Sequence, residues 1–354
     1  MPTLNPCLFS DRQALGAAEF YVSVFPESRI DSVARAAVDT PFMKAGEVLS
    51  VDFHWYLDRD HGADYFRRWH RLRERSGTLL VHKATHHFDL LNWWLNAVPE
   101  RVIADADRRF YGPVRDRRGP YCRACEVRAD CEFAIEIAAD AELKALYVEA
   151  EAADGYHRDG CVFDPAIDIP DTMGVLVRYA AGTLLTYSLA AHVAYEGFRA
   201  AFNGRTGRME LEVLESGPGS DRASDPIVVI RPDGTVEQEA VPRAGDDHGG
   251  GDTALLDDLF RGPLEDPLRR AAGSLAGARS VLVGLAATRS LETGAWVRPA
   301  KEVVVQADFG RDPVRGGHPV QRRLGPPPIR RIHPAMDVIA SGIISTKATN
   351  PAVM

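Results

Sequence analysis

Residues 46–58 read GEVLSVDFHWYLD, and apolar and polar side chains alternate along them closely enough to mark a β-strand. Toward the N-terminus, TLNPCLF (3–9) reads as a short apolar strand. SDRQALGAAEFYVSVF (10–25) follows as a helix capped by Ser10 or Asp11, with Ala14, Ala17, Ala18, Tyr21 and Phe25 on one face. ESRIDSVARAAV (27–38) is a further strand, so the order up to residue 58 is β-α-β-β. Toward the C-terminus the pattern changes: HKATHHFDLLNWW (82–94) has the spacing of an amphipathic helix. The basic run RRWHRLRER (67–75) places Trp69 and Leu72 at helical spacing and predicts a solvated helix face. The last stretch, 306–354, carries GPPP, scattered arginines and the short apolar run DVIASGII, and predicts an irregular tail.

The 354 residues suffice for one large or two medium domains. With 45% hydrophobic and 26% charged residues the composition is that of a soluble globular protein. A formal charge of −8 argues against nucleic acid or an anionic membrane as partner. No run of about 18 apolar residues is present, and the first residues lack the basic-then-apolar order of a secretory signal. Five cysteines without an export signal point to a reducing, cytoplasmic setting.

Two resemblances meet inside the strand at 46–58. NPCLFSDRQALGAAEFYVSVFPESRIDSVAR, followed by KAGEVLSVDF, resembles the opening half-module of the PhnB-like branch of the vicinal oxygen chelate (glyoxalase-like) proteins, over about residues 3–53. From Gly46 onward, GEVLSVDFHWYLDRDHGADYFRRWHRLRERSGTLLVHKATHHFDLLNWWLNAVPERVIA resembles the C-terminal domain of the glucose-fructose oxidoreductase and inositol dehydrogenase (Gfo/Idh/MocA) family. DGYHRDGCVF (154–163), YEGFRAAFNGRTGRMELEV (195–213) and DDHGGGDTALLDDLF (246–260) continue that likeness to about residue 303. The implied fold class is α+β: a large, mainly antiparallel open sheet with helices on one face, preceded by the β-α-β-β half-module, with no Rossmann domain. The implied domains are 1–50, 46–305 and an irregular tail, 306–354.

Within 82–94, residues 82, 86, 89 and 93 are spaced by four, three and four, so His82, His86, Asp89 and Trp93 share one helical face. A histidine beside another titratable group can be held in one tautomer and exchange protons near neutral pH. Set against this are a satisfied core histidine and an Asp89 that pairs with a basic residue. The resemblance implies that His86 is the catalytic histidine, with Gly77, Leu79 and Leu80 forming the preceding turn. It also implies an acidic residue four positions earlier, where this chain has His82. A second histidine cannot stabilise an imidazolium as a carboxylate does. Lys83 is a candidate for contacting substrate hydroxyls, a solvent-facing lysine being the plainer reading.

Three other segments carry candidate chemistry. In DDHGGGD (246–252), His248 and Asp252 belong to a sugar-contacting loop or to a turn in which Asp252 caps the next helix. Arg158, in YHRDGCVF, is placed to hold a polyol or a carboxylate, or forms a surface salt bridge. CRACEVRADC has the spacing C-x2-C-x5-C, so Cys122, Cys125 and Cys131, with Cys161 or His157 as fourth ligand, either bind structural zinc or are ordinary reduced cysteines. Cys7 reads as a small buried hydrophobe.

The resemblance implies NAD(P) as cofactor, bound by a domain not legible in this chain. The first hundred residues hold no GxGxxG after a strand, GPGS (217–220) lies in a polar loop, and the family's Glu-Lys-Pro segment is absent. The leading expectation is therefore a sugar or cyclitol oxidoreductase by descent, acting on a secondary alcohol or its ketone, inactive alone. A non-catalytic polyol-binding or assembly module and a glyoxalase-like fragment are the alternatives. A polyol or sugar and further copies of the chain are the expected partners.

Overall fold

The structure, a computed structural model, describes residues 48–243, 251–261, 270 and 272–299. The first two strands and the helix of the β-α-β-β opening, Cys7, His248 and the tail at 306–354 lie outside these residues.

Eight strands form one sheet: β1 (Val48–Asp58), β2 (Pro99–Asp107), β3 (Thr172–Tyr179), β4 (Leu184–Val193), β5 (Gly197–Gly204), β6 (Gly207–Leu214), β7 (Ser224–Ile230) and β8 (Val236–Pro242), in the order β2-β3-β4-β1-β5-β6-β7-β8. Only β1 and β4 run parallel, with Phe53 opposite Tyr187; β1 pairs antiparallel with β5, with Phe53 opposite Ala200. The strand read from 46–58 is thus central. Its period of two buries Val51, Phe53, Trp55 and Leu57 on one face and turns Ser50, Asp52 and His54 to the other. Each fully buried side chain of this size contributes about 1.5–3 kcal/mol.

The covered face carries helices α1 (Arg59–Arg67), α2 (Leu79–His82), α3 (Ala84–Leu95) and the long α5 (Ser274–Thr293); α4 (Gly251–Phe260) buries none of its residues. Helix α1 starts directly at the end of β1, where the Asp58 carboxylate accepts the amides of Asp60 and His61 at 3.1 and 2.9 Å. Gly62 lets α1 lie on β4, since a Cβ there would stand 1.9 Å from the Ala191 carbonyl oxygen. Helix α5 packs against β2, α2 and α3.

The basic run at 67–75 is not the solvated helix its spacing predicts. It breaks into a 3-10 turn at Trp69–Arg71 and a single turn at Arg73–Ser76, with Arg67 and His70 buried. Between β2 and β3 the chain makes mostly short turns, anchored by the fully buried Asp171. Its carboxylate accepts the amides of Arg109, Phe110 and Tyr111 at 3.0, 2.8 and 3.0 Å. No helix among the described residues is long and apolar enough to cross a membrane.

Candidate functional site

The stretch at 82–94 forms two helices rather than one. Lys83 is the joint between α2 and α3 (φ −94°, ψ −49°), and the His86 amide donates to its carbonyl at 3.3 Å. The joint stays in the right-handed helical region, so His82 and His86 remain neighbours, and His86 is among the groups that depress the His82 pKa. Burial is the largest cause of that depression, followed by His86, Lys83 and Arg68. His82 is therefore neutral at neutral pH. His86 is exposed.

His82 is held by a group of rings that the sequence does not single out. The His70 ring lies 4.2 Å from it, centroid to centroid, and Tyr65 and Trp69 meet it edge-on at 5.8 and 5.6 Å. Burial, followed by His82, Arg68 and Arg158, pushes the His70 pKa down to about 3. Lys83 does not face solvent: it is 8% exposed, and its ammonium lies 5.2 Å from the centre of the Trp55 ring. His87 is the core histidine of the stretch. Its ring stacks on Trp55 at 4.0 Å and its Nδ1 lies 2.8 Å from the Tyr187 hydroxyl. Asp89 is half-buried, and burial raises its carboxyl with no neighbouring charge offsetting it.

Arg158 is committed to protein. Its Nη1 and Nη2 donate to the two Asp64 oxygens at 3.0 and 2.7 Å, a pair in which the arginine is buried and Asp64 partly exposed. Three buried polar atoms of this region lack a hydrogen-bond partner: Arg158 Nε, Arg68 Nε and His70 Nδ1. Arg68 and Arg158 both act on His70 and Tyr156, and Arg68 acts on His82 as well. Asp252 lies elsewhere, exposed in the first turn of α4.

A family model described as "Oxidoreductase family, C-terminal alpha/beta domain" (GFO_IDH_MocA_C) matches residues 44–298. The chain belongs to this family. A second model, described as 3-demethylubiquinone-9 3-methyltransferase, matches residues 2–59, where the PhnB-like resemblance was placed. The chain is 40% identical over 276 residues to YteT of Bacillus subtilis (strain 168), provisionally named an oxidoreductase; the match covers 70% of this chain and 62% of YteT. Among solved structures it is similar to the aldose-aldose oxidoreductase of Caulobacter crescentus complexed with glycerol, at 13% identity and a TM-score of 0.43. That match covers 72% of this chain and 56% of the other. It is also similar to the WlbA dehydrogenase of Bordetella pertussis in complex with NADH and UDP-GlcNAcA, at 15% identity, a TM-score of 0.40 and coverage of 72% and 55%. The chain thus spans less than two thirds of the length of these relatives.

The Gfo/Idh/MocA domain of this chain also gathers its cysteines. Cys122, Cys125, Cys131 and Cys161 all line one small cavity, with free thiols. His157 is not with them: its ring stacks on Tyr121 at 4.2 Å and its Nδ1 lies 3.2 Å from Glu151. Sequence reasoning missed His70, Tyr65, Arg68 and Tyr156. The first three sit in or beside the run read as a solvated helix, and nothing periodic ties them to His82.

Proposed function

We propose that the described domain is the substrate-side wall of a sugar or cyclitol oxidoreductase, with His86 as the group that exchanges the proton of a secondary hydroxyl. The observation that carries this reading is an exposed His86 following a neutral, half-buried His82, on which the Arg68 charge also acts. An imidazole can exchange the proton of a hydroxyl, and an exposed one such as His86 can be reached by a ligand. Trp69, 37% exposed and stacked on His70 at 3.8 Å, offers a flat apolar surface for a sugar ring. Lys83 and Asp89 flank His86 in sequence, and Asp252 remains a further candidate for contacting the ligand. The expected acidic partner of His86 is missing at position 82, so Asp89, three residues on, is the carboxylate best placed in sequence to balance an imidazolium.

NAD(P), which the family implies, does not fit the described residues. Gly217 and Gly219 adopt φ +83° and +84°, but the turn they make leads into β7 and not into a helix N-terminus. The dinucleotide would have to be supplied from outside them, and the domain alone is inactive.

Titrating the pure chain with inositols, aldoses and uronic acids, followed by calorimetry, tests this. Binding that weakens about tenfold or more in His86→Ala is expected, that is about 1.4 kcal/mol or more. No binding anywhere in the panel, or binding indifferent to His86, sinks the reading. Titration with NADH should give no saturable fluorescence enhancement; micromolar affinity would refute the missing cradle. The alternative, a polyol-binding module without catalysis, is favoured by the same missing cradle. Turnover on adding a nucleotide-binding partner protein would eliminate it.

A further inference from the structure

We propose that Cys122, Cys125, Cys131 and Cys161 form a tetrathiolate site for one zinc ion, which staples the long β2–β3 connection. Four of the five cysteines of the chain line a single cavity of about 20 Å3, room for one water-sized body. A random scatter of reduced cysteines has no reason to converge in this way.

The backbone shows how they converge. Cys122 opens a 3-10 turn in which the Cys125 amide donates to the Cys122 carbonyl at 3.2 Å. Successive turns follow, Arg128 to Cys125, Cys131 to Arg128 and Ala134 to Cys131, at 3.3, 3.2 and 3.0 Å, and they curl the chain around the cavity. Cys161, remote in sequence, arrives through an antiparallel bridge between Tyr121 and Gly160: Cys122 N–H donates to the Asp159 carbonyl at 2.8 Å and Cys161 N–H to the Pro120 carbonyl at 3.1 Å.

Donor groups approach two of the sulfurs. The Gly119 amide donates to Cys125 Sγ at 3.2 Å, and only glycine allows that approach, because a Cβ would stand 2.6 Å from Cys125 Cα. Arg67, 4% exposed, aims Nη1 at Cys122 Sγ at 3.9 Å and Nη2 at the Phe133 carbonyl at 3.1 Å. Arg128 also lines the cavity. Zinc with four thiolates carries a net charge of −2, which guanidinium groups and amide donors offset. Four thiolates fill a tetrahedral shell and leave no position for substrate, so the ion is structural.

Zinc–sulfur bonds of about 2.3 Å imply sulfurs about 3.8 Å apart. Here no three of the four sulfurs lie within 4.8 Å of one another, so binding the ion would require the turns to move inward. The neighbouring group Glu151, His157 and Asp159 is tighter, but the Arg123 guanidinium already pairs with both carboxylates and cancels the charge a cation would need.

The test is elemental analysis of the full chain purified under reducing conditions without chelator, combined with cobalt substitution. About one zinc per chain is expected, released when an organomercurial caps the thiols. Cobalt(II) should replace it and give the intense visible bands of a tetrahedral thiolate site. Cys131→Ser and Cys161→Ser should each lose most of the metal. If these variants fail to fold, the cobalt spectrum of the unmutated chain still decides. The proposal is overturned by a metal-poor chain whose thiols all react freely and which takes up no cobalt. Iron with sulfide, or a disulfide between any two of the four, overturns it equally.

Discussion

Thr78 has a φ of 95°, a region that β-branched residues rarely enter and that costs about 1–3 kcal/mol. What holds it there is visible: its Oγ1 accepts the Leu80 amide at 3.2 Å and lies 3.4 Å from Thr288 Oγ1. Thr78→Ala keeps the strain and loses the cap, so a loss of about 1–2 kcal/mol is expected. Thr78→Gly loses the cap and the strain together and should fall nearer to the parent. Denaturant midpoints decide, and an alanine variant more stable than the glycine variant would refute the account. His70 sets a second test. Its folded-state pKa lies below the ordinary value, so the unfolded chain binds a proton that the folded chain refuses below about pH 6.5. Stability from this group is complete above that pH and is lost as pH falls toward about 3. The slope is at most about 1.4 kcal/mol per pH unit, less to the extent that water reaches the ring. His70→Gln should flatten the acid limb of a urea-midpoint profile, and an unchanged slope would count against the burial argument. The spacing of His82 and His86 was legible from the sequence because helical periodicity is local. The role of His70 was not, because its contact with His82 is made across a turn that the periodicity of 67–75 misdescribes.

Helix α5 meets α2 at Gly284, where a Cβ would stand 2.3 Å from the Leu80 carbonyl oxygen and 3.0 Å from Val81 Cα. Backbone cannot yield cheaply, so Gly284→Ala should destabilise the domain by about 1–3 kcal/mol and displace the turn that carries His82. Gly277, earlier on the same helix, would place a Cβ in open space. Gly277→Ala should therefore gain up to about 1 kcal/mol from helix propensity alone. Thermal melts of the two variants should move in opposite directions; a shared direction would mean that α5 does not pack on α2 as described. The single helix predicted over 82–94 was an error of one residue in kind: Lys83 turns aside onto Trp55, and a burial preference of that sort leaves no mark on apolar spacing.

At the scale of the molecule, the alternation along 46–58 disclosed the central strand and, with the family resemblance, a mainly antiparallel sheet covered on one side. It could not disclose the β2–β3 connection. That segment takes its shape from Asp171 holding the amides of Arg109, Phe110 and Tyr111 and from the Tyr121–Gly160 bridge, contacts between distant residues that no local pattern encodes. The sheet face away from the helices bears a shallow hollow of about 470 Å3 bordered by Asp52, His54, Arg199, Arg208, Glu210 and Glu212. These charges are largely neutralised within the face, Arg199 by Glu212 at 2.5 Å and Arg208 by Glu210 at 2.5 Å, and Ala200, Ala201, Pro226 and Val228 lie between them. A face of internally paired charges around small apolar side chains can meet its own copy without leaving a charge unpaired. We expect a homo-oligomer built on it. Val228→Glu adds an uncompensated carboxylate beside Glu210 and should shift the mass in light-scattering chromatography toward the monomer. Asp252→Asn, on a helix that buries none of its residues, should leave the mass unchanged. A parent chain that is monomeric at tens of micromolar would remove the basis for this expectation.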